Sequence, residues 1–469
     1  MPKLHPDRLF PIDDSTRGLA RALHQSIKDL PIISPHGHTD PRWYAENEAF
    51  PDPAQLFVTP DHYVFRMLFS QGVPLESLGV PRADGGPTEL DGRKIWKLFA
   101  ENYYLLRGTP SRMWVDHAFA EVFGIEQEFT PATADAIYDH ISDCLAKPEF
   151  RPRALFESFN IELIATTESA LDDLKWHKMI GTSGWTGGKV VTTYRPDSVV
   201  DPEFPDFTAN LATFGALTGT DTMTWAGYLE AHRIRRAYFK EYGATASDHG
   251  HPTARTENLS TADATALFHR VKGGTATPED ADAFRGQMLT EMARMSMEDG
   301  LVLQIHAGSR RNHNPGIFDK FGRDKGFDIP GRTDFVGNLK PLLDAFGTEP
   351  QLSIIVFMLD ETTQSRELAP LAGVYPALKL GPPWWFFDSA EGMKRFRENV
   401  TETAGFYNTV GFNDDTRAFC SIPARHDVAR RVDCAYLATL VATGRLNEDE
   451  AYEVAQDLTY RLVKQAYRL

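Results

Sequence analysis

Two histidines one residue apart end an extended apolar run, Ile32-Ile33-Ser34-Pro35-His36-Gly37-His38-Thr39-Asp40. In a strand, side chains two apart share a side, so the neutral nitrogens of His36 and His38 can chelate a metal. His-x-His is a short pattern that equally describes two surface histidines at a strand end, which Pro35 and Gly37 tolerate. It needs a carboxylate from elsewhere, and Gly411-Phe412-Asn413-Asp414-Asp415-Thr416-Arg417 offers one. A β-like run reaching Asp415 places a hard anionic ligand there, with Arg417 on the same side two residues on. The competing reading has Asp414 and Asp415 capping the following helix; one can cap while the other ligates. A third apolar run, residues 301–306, ends in His306, which either approaches the metal or substrate or is a satisfied buried histidine.

For a residue near each end of the chain to share a metal, the first and last strands must be neighbours, as they are only in a closed barrel. The chain alternates short β-rich runs with helical patterns, the signature of β/α repeats around a parallel sheet. The runs are 32–34, 163–166, 190–193, 301–306, 353–357, 374–380 and 409–412, one short of a (β/α)8 barrel. Residues 280–298 and 427–443 have helical spacing. The expectation is one elaborated barrel over 1–469 with two helical insertions, an aromatic-rich one at 59–152 and another at 207–285. Within the second, the polar stretch 243–261 reads as a loop or lid. The run Arg233-Ile234-Arg235-Arg236 reads as a solvated helix face, and Gly187-Gly188-Lys189 lacks the other glycines of a phosphate loop.

The charge balance, 49 basic against 65 acidic residues, gives −16, which repels phosphate backbones and anionic lipid. Nucleic acid and membrane are therefore excluded as partners, and an anionic small substrate needs a site that overcomes the overall field at short range. Apolar content of 42% without a run of about 18 apolar residues is ordinary globular composition. Residues 1–14 lack the apolar core of a secretory signal, and the scattered Cys144, Cys420 and Cys434 suit reduced thiols, so the expected compartment is the cytoplasm.

Together the His-x-His pair, a mid-chain strand histidine and a late aspartate resemble the amidohydrolase superfamily of metal-dependent barrels. The resemblance narrows to the uronate isomerase, or glucuronate isomerase, family. It is carried by Asp61-His62-Tyr63, Thr166-Thr167-Glu168, Tyr194-Arg195-Pro196-Asp197, Gln304-Ile305-His306, Arg311-Asn312, Trp384-Trp385-Phe386 and Asp415-Thr416-Arg417, in order from His36 to Arg417. Gly37 stands where cysteine is frequent, Glu168 where aspartate is usual, and residues 309–314 are more basic than usual.

The resemblance implies a distorted TIM barrel that isomerises D-glucuronate to D-fructuronate and D-galacturonate to D-tagaturonate. It implies one divalent ion, zinc by analogy, on His36, His38 and Asp415. Tyr63 is the candidate proton-transfer group; with an ordinary pKa of about 10 it needs a cation such as Arg417 or His62 to act as a base. Asp415 is the alternative carrier of a hydroxyl proton. Arg195 suits the uronate carboxylate, with Arg311 second, although Arg195-Pro196-Asp197 also reads as an ordinary turn. His306 lies toward the same site. Of Trp384 and Trp385, one is expected to face the sugar and the other the core. The helical insertions suit assembly with further copies of the chain.

Two rival readings remain at this stage. One is a metal-dependent hydrolase acting on an amide or lactone, which usually adds a lysine on the fourth strand. The other is a catalytically silent sugar-acid sensor.

Overall fold

Six of the seven apolar runs, joined by one strand not expected, lie side by side in a computed structural model that describes residues 4–469, which leaves the first three residues of the N-terminal reading outside. They are β1 (Ile32–Ser34), β2 (Ile161–Ser169), β3 (Lys189–Arg195), β4 (Ala246–His249), β5 (Val302–His306), β8 (Ile354–Phe357) and β9 (Leu378–Leu380), all parallel and in that order across the sheet. The short β6 (Ser309–Arg310) and β7 (Ile329–Pro330) form a separate antiparallel ribbon. Helices connect each strand to its neighbour, as parallel pairing requires.

The eighth barrel position carries almost no regular pairing. Leu380 and Thr409 form a single parallel bridge. At the other end the His38 N–H donates to the Thr416 carbonyl at 3.0 Å. The result is a distorted (β/α)8 barrel whose last strand is reduced to a tether. Three sequence expectations therefore change. Residues 409–412 are not a strand. The run at 374–380 shrinks to Leu378–Leu380, because Ala369–Val374 is helical. The missing strand is β4, inside the stretch read as a lid, and all four of its residues are buried. Ser247, Asp248 and His249 hid it, because their polarity suggests solvent while their partners inside the protein make burial tolerable.

Strand side chains Ile33, Leu163, Ala246, Val302 and Ile355 fill the barrel together with Val463 and Tyr467 of the C-terminal helix Leu462–Tyr467. The Tyr467 hydroxyl reaches Gln304 Oε1 at 3.1 Å, so the buried amide of β5 is partly satisfied by the plug. Helices between β1 and β2 gather a second cluster around Trp96, Phe99, Phe119 and Phe129. The expected helix at 280–298 runs Pro278–Asp299, opened by a Thr277/Asp280 capping box and ended at Gly300 with φ +82. That at 427–443 starts earlier, as Ile422–Ala442. Among the described residues no helix is long and apolar enough to cross a membrane.

The basic run 233–236 is not a solvated face. On the helix Trp225–Glu241, Arg233 is half-buried, whereas Arg235 is buried and donates to the carbonyls of Ala170 and Asp172. Arg236 is fully buried; its Nε and Nη2 grip Asp299 at 2.6 and 2.9 Å, and Nη2 also reaches Ser296. The planar guanidinium fork thus ties this helix to the C-terminal end of Pro278–Asp299. Replacing Arg236 by alanine leaves Asp299 unpaired and opens a cavity, so Arg236→Ala should lose about 3 kcal/mol of stability in denaturant unfolding. A loss under about 0.5 kcal/mol would show that the pair is structurally idle.

Candidate active site

The chain leaves β1 at Ser34, so His36 and His38 sit on the loop beyond the strand rather than in it. Their rings nevertheless converge, with centroids 5.3 Å apart and planes at 83°. Asp415 comes from the irregular eighth segment with φ +42, a left-handed backbone that a non-glycine residue adopts at some cost. It caps no helix. Asp414 turns instead to His426, whose Nε2 lies 3.0 Å from Asp414 Oδ2, and the next α-helix begins only at Ile422.

Asp415 Oδ1 stands 3.4 Å from His36 Nε2 and 3.1 Å from His38 Nε2. Yet this buried oxygen makes no hydrogen bond, and His36 Nδ1 is also unpartnered. Three ligand atoms, one on each residue, lie within 4.8 Å of one another. Buried polar atoms are rarely left unsatisfied. Two imidazoles and a carboxylate converging without hydrogen bonds fit a divalent ion. Burial disfavours charge on His36, but Asp415 and Asp248 raise its pKa above the usual imidazole value; on His38 burial prevails and lowers it. Burial also opposes charge on Asp415, and the two imidazoles outweigh it, holding the carboxyl well below its usual range.

His306 ends β5 and stacks on His36 at 4.6 Å and on Phe357 at 4.0 Å. Its Nδ1 lies 2.5 Å from Asp248 Oδ1, and its Nε2 is free. Asp248, on β4, is a site residue that the sequence reading missed. Burial opposes its charge, but His306 and Arg195 hold its pKa well below the ordinary value. The Asp248-His249 pair ending a short run was the available signal, masked by the polar stretch around it.

These residues open onto a cavity of about 760 Å³ at the strand ends, bordered also by His62, Tyr63, Arg195, Arg311, Trp384, Trp385 and Arg417. Every expected site residue therefore faces one space. Five arginines line it, at 195, 310, 311, 323 and 417, against six carboxylates at 197, 201, 203, 248, 324 and 415. The cavity has no excess of fixed positive charge, so recognition of an anion rests on local geometry.

Arg195 is held between two acids: its Nε donates to Asp197 Oδ2 at 2.8 Å and its Nη1 lies 3.2 Å from Asp248 Oδ2. Arg311 pairs with Asp328 at 3.3 Å. Arg417 donates to the Asp324 carbonyl at 3.2 Å and forms no ion pair among the described residues. Both tryptophans border the cavity, and Trp384 also belongs to the core cluster that fills the barrel: it packs edge-on against His306 at 4.7 Å, whereas the half-buried Trp385 packs against His62 at 5.0 Å.

Tyr63 lies on the helix His62–Phe69, capped by Asp61. Its hydroxyl points at the Trp385 carbonyl, 3.5 Å away. Burial pushes the phenol above its ordinary pKa, and the cation that most opposes this is Arg425, which the sequence reading did not consider. The Arg425 guanidinium lies 5.2 Å from the Tyr63 ring centre and 3.5 Å from that of Trp114. It is tied to Asp388, whose own carboxyl burial raises to about 7. His62 is no cation: burial first, then Arg417, pushes its pKa well below the ordinary imidazole value.

An imidazole pair and an aspartate at the open end of a (β/α)8 barrel are the arrangement of an amidohydrolase-superfamily barrel with a candidate metal site. The family model for glucuronate isomerase matches residues 14–467, and the chain belongs to that family, which makes it an isomerase. It is 66% identical over 466 residues to the uronate isomerase of Rhizobium meliloti (strain 1021), covering 99% of each chain. It is 68% identical over 464 residues to that of Mesorhizobium japonicum, again 99% of each. The crystal structure of glucuronate isomerase from Caulobacter crescentus superposes with TM-score 0.97 at 58% identity, covering 99% of this chain and 97% of that one.

Glu168, one of the departures noted in the sequence, is buried behind this wall beside Thr192 and His177. Burial raises its carboxyl to about 8. An acid whose folded pKa lies above its unfolded value costs stability as pH rises between the two, here from about 4.5 to about 8. The melting temperature of the wild type should therefore fall relative to Glu168→Gln between pH 5 and pH 8. Parallel curves would show that Glu168 is already ionised in the fold.

Proposed function

We propose that this isomerase interconverts aldose and ketose forms of hexuronates, D-glucuronate to D-fructuronate and D-galacturonate to D-tagaturonate. The observation that carries the reading is Asp415 set between His36 and His38 on the same cavity as Tyr63 and Arg195, in a chain of the glucuronate isomerase family. His36, His38 and Asp415 hold one divalent ion; two nitrogens and a carboxylate oxygen suit zinc. When bound, that ion supplies Lewis-acid stabilisation of negative charge on substrate oxygen.

Arg195 takes the uronate carboxylate, its guanidinium already fixed by Asp197 and Asp248. Arg311 borders the same space as the second choice, and His306 with the two tryptophans walls the sugar. Tyr63 moves the carbon proton, taking it from C2 as the enediol forms and returning it to C1. Burial keeps its phenol protonated at neutral pH, so the hydroxyl must first release its proton to solvent in the open cavity before the phenolate can act as a base. Arg425 under the ring, with Arg417 beside the cavity, lowers the cost of the phenolate. Asp415 carries the O2 hydroxyl proton to O1, and neutral His62 orients Tyr63 from 4.8 Å. Electrons from the C2–H bond form the C1=C2 bond of the enediol, and its collapse leaves the carbonyl at C2.

The hydrolase alternative loses support at β4, which presents Asp248 and His249 and no lysine. A reducing compartment suits three free, buried cysteines, and we place the enzyme in the cytoplasm, as an assembly of like chains.

In deuterated water, D-glucuronate incubated with the enzyme should give D-fructuronate by NMR, and Asp415→Asn should give none. No ketose from either uronate with metal bound would sink the assignment. Arg195→Lys keeps the charge but loses the fork, so its KM should rise at least about ten-fold, the value of one charged hydrogen bond. An unchanged KM would move the carboxylate site to Arg311 or Arg417.

A further inference from the structure

Strand geometry puts neighbouring side chains of β4 on opposite faces. Asp248 faces into the barrel, toward His306 and Arg195. His249 and Ser247 share the other face, with His249 Nε2 lying 3.2 Å from Ser247 Oγ. Behind the wall, His249 and His251 set their rings 5.8 Å apart at 84°. Asp197 joins them, and one ligand atom from each of the three lies within 4.8 Å of the others. Both histidines are at least nine-tenths buried. His249 Nδ1 and both nitrogens of His251 have no hydrogen-bond partner. Buried polar atoms are rarely left without a partner, and three orphaned nitrogens in so small a volume call for one. One shared ion answers two of them, His249 Nδ1 and one nitrogen of His251, since a single imidazole offers one nitrogen to a given ion.

We propose that Asp197, His249 and His251 form a second divalent-metal site, at the margin of the cavity, that clamps Arg195 in place. Two imidazoles and one carboxylate favour an ion of the zinc class. Burial keeps both imidazoles neutral, the form that ligates. A carboxylate has lone pairs to spare: Asp197 Oδ2 already accepts from Arg195 Nε at 2.8 Å, and Oδ1 accepts from the Gly250 N–H at 3.3 Å. Gly250 is required between the two histidines, because a Cβ there would stand 2.4 Å from Arg195 Nη2 and 2.7 Å from Arg311 Nη2. The nearby cation Arg285 is neutralised by Asp201 at 2.7 Å and Glu203 at 2.9 Å, so it does not oppose a bound ion. An ion that fixes Asp197 fixes Arg195, which is held between Asp197 at the cavity margin and Asp248 on β4.

The clamping role rests on the reading of Arg195 as the uronate carboxylate's partner; the metal count does not. Full-length, tag-free protein is stripped with a chelator, dialysed against zinc and counted by elemental analysis, beside His251→Asn, His249→Asn and Asp415→Asn, each checked for native circular dichroism. The wild type should hold two equivalents. Each of the three variants should hold one, and the double variant His251→Asn/Asp415→Asn none. One equivalent in the wild type that is kept in His249→Asn and His251→Asn and lost in Asp415→Asn would mean that water takes the ion's place and would overturn the site. Two equivalents retained in both His249→Asn and His251→Asn would do the same, by placing the second ion elsewhere. With the count as expected, KM for D-glucuronate should rise severalfold in His251→Asn while kcat changes little; an unchanged KM would overturn the clamp.

Discussion

Asp415 reaching back to His36 and His38 is the constraint on which the rest of this structure depends. It joins residues from the two ends of the chain, and a flexible chain closes so long a loop only if other contacts have already paid its entropy. The barrel supplies those contacts through seven paired strands and a plug of Val463 and Tyr467. The eighth position does not need a strand for this purpose. One bridge at Thr409 and one hydrogen bond at Thr416 fix the segment at both ends, and the irregular backbone between them lets Asp415 adopt its left-handed conformation. A regular strand would hold Asp415 extended and aim it elsewhere.

Around that centre the protein manages charge by pairing rather than by accumulation. The chain is strongly acidic and the cavity lining carries about as many carboxylates as guanidiniums, so nothing in the long-range field favours an anionic sugar. What favours it is position. Arg195 is stretched between Asp197 and Asp248, and Arg425 is sandwiched against Trp114 beside Tyr63. Such ion-paired cations contribute little net stability, yet pairing fixes the Arg195 fork and the Arg425 guanidinium in place beside the cavity.

The same layering explains why β4 matters more than its four residues suggest. Its inward face gives Asp248 to the catalytic cavity and its outward face gives His249 to the pocket behind, so one strand couples two polar clusters through a single arginine. Strands buried on both faces are normally apolar. Here the polar residues are tolerated because each has a charged or imidazole neighbour within reach.

The sequence by itself determined the His-x-His pair, the late aspartate, the aromatic and arginine residues around the cavity, the parallel β/α order and the family resemblance. Those are properties of residue type and spacing, and they survive without coordinates. Tertiary structure alone decided which polar residues are buried. Polarity in a sequence cannot distinguish solvent from a buried partner far along the chain. For that reason Ala246–His249 read as a lid, Arg235 and Arg236 as a solvated face, and Arg425 as nothing at all. It also decided that Asp414 turns to His426 while Asp415 turns to the histidines. Adjacent carboxylates look alike in sequence, and only the backbone path and the neighbours it meets separate their roles.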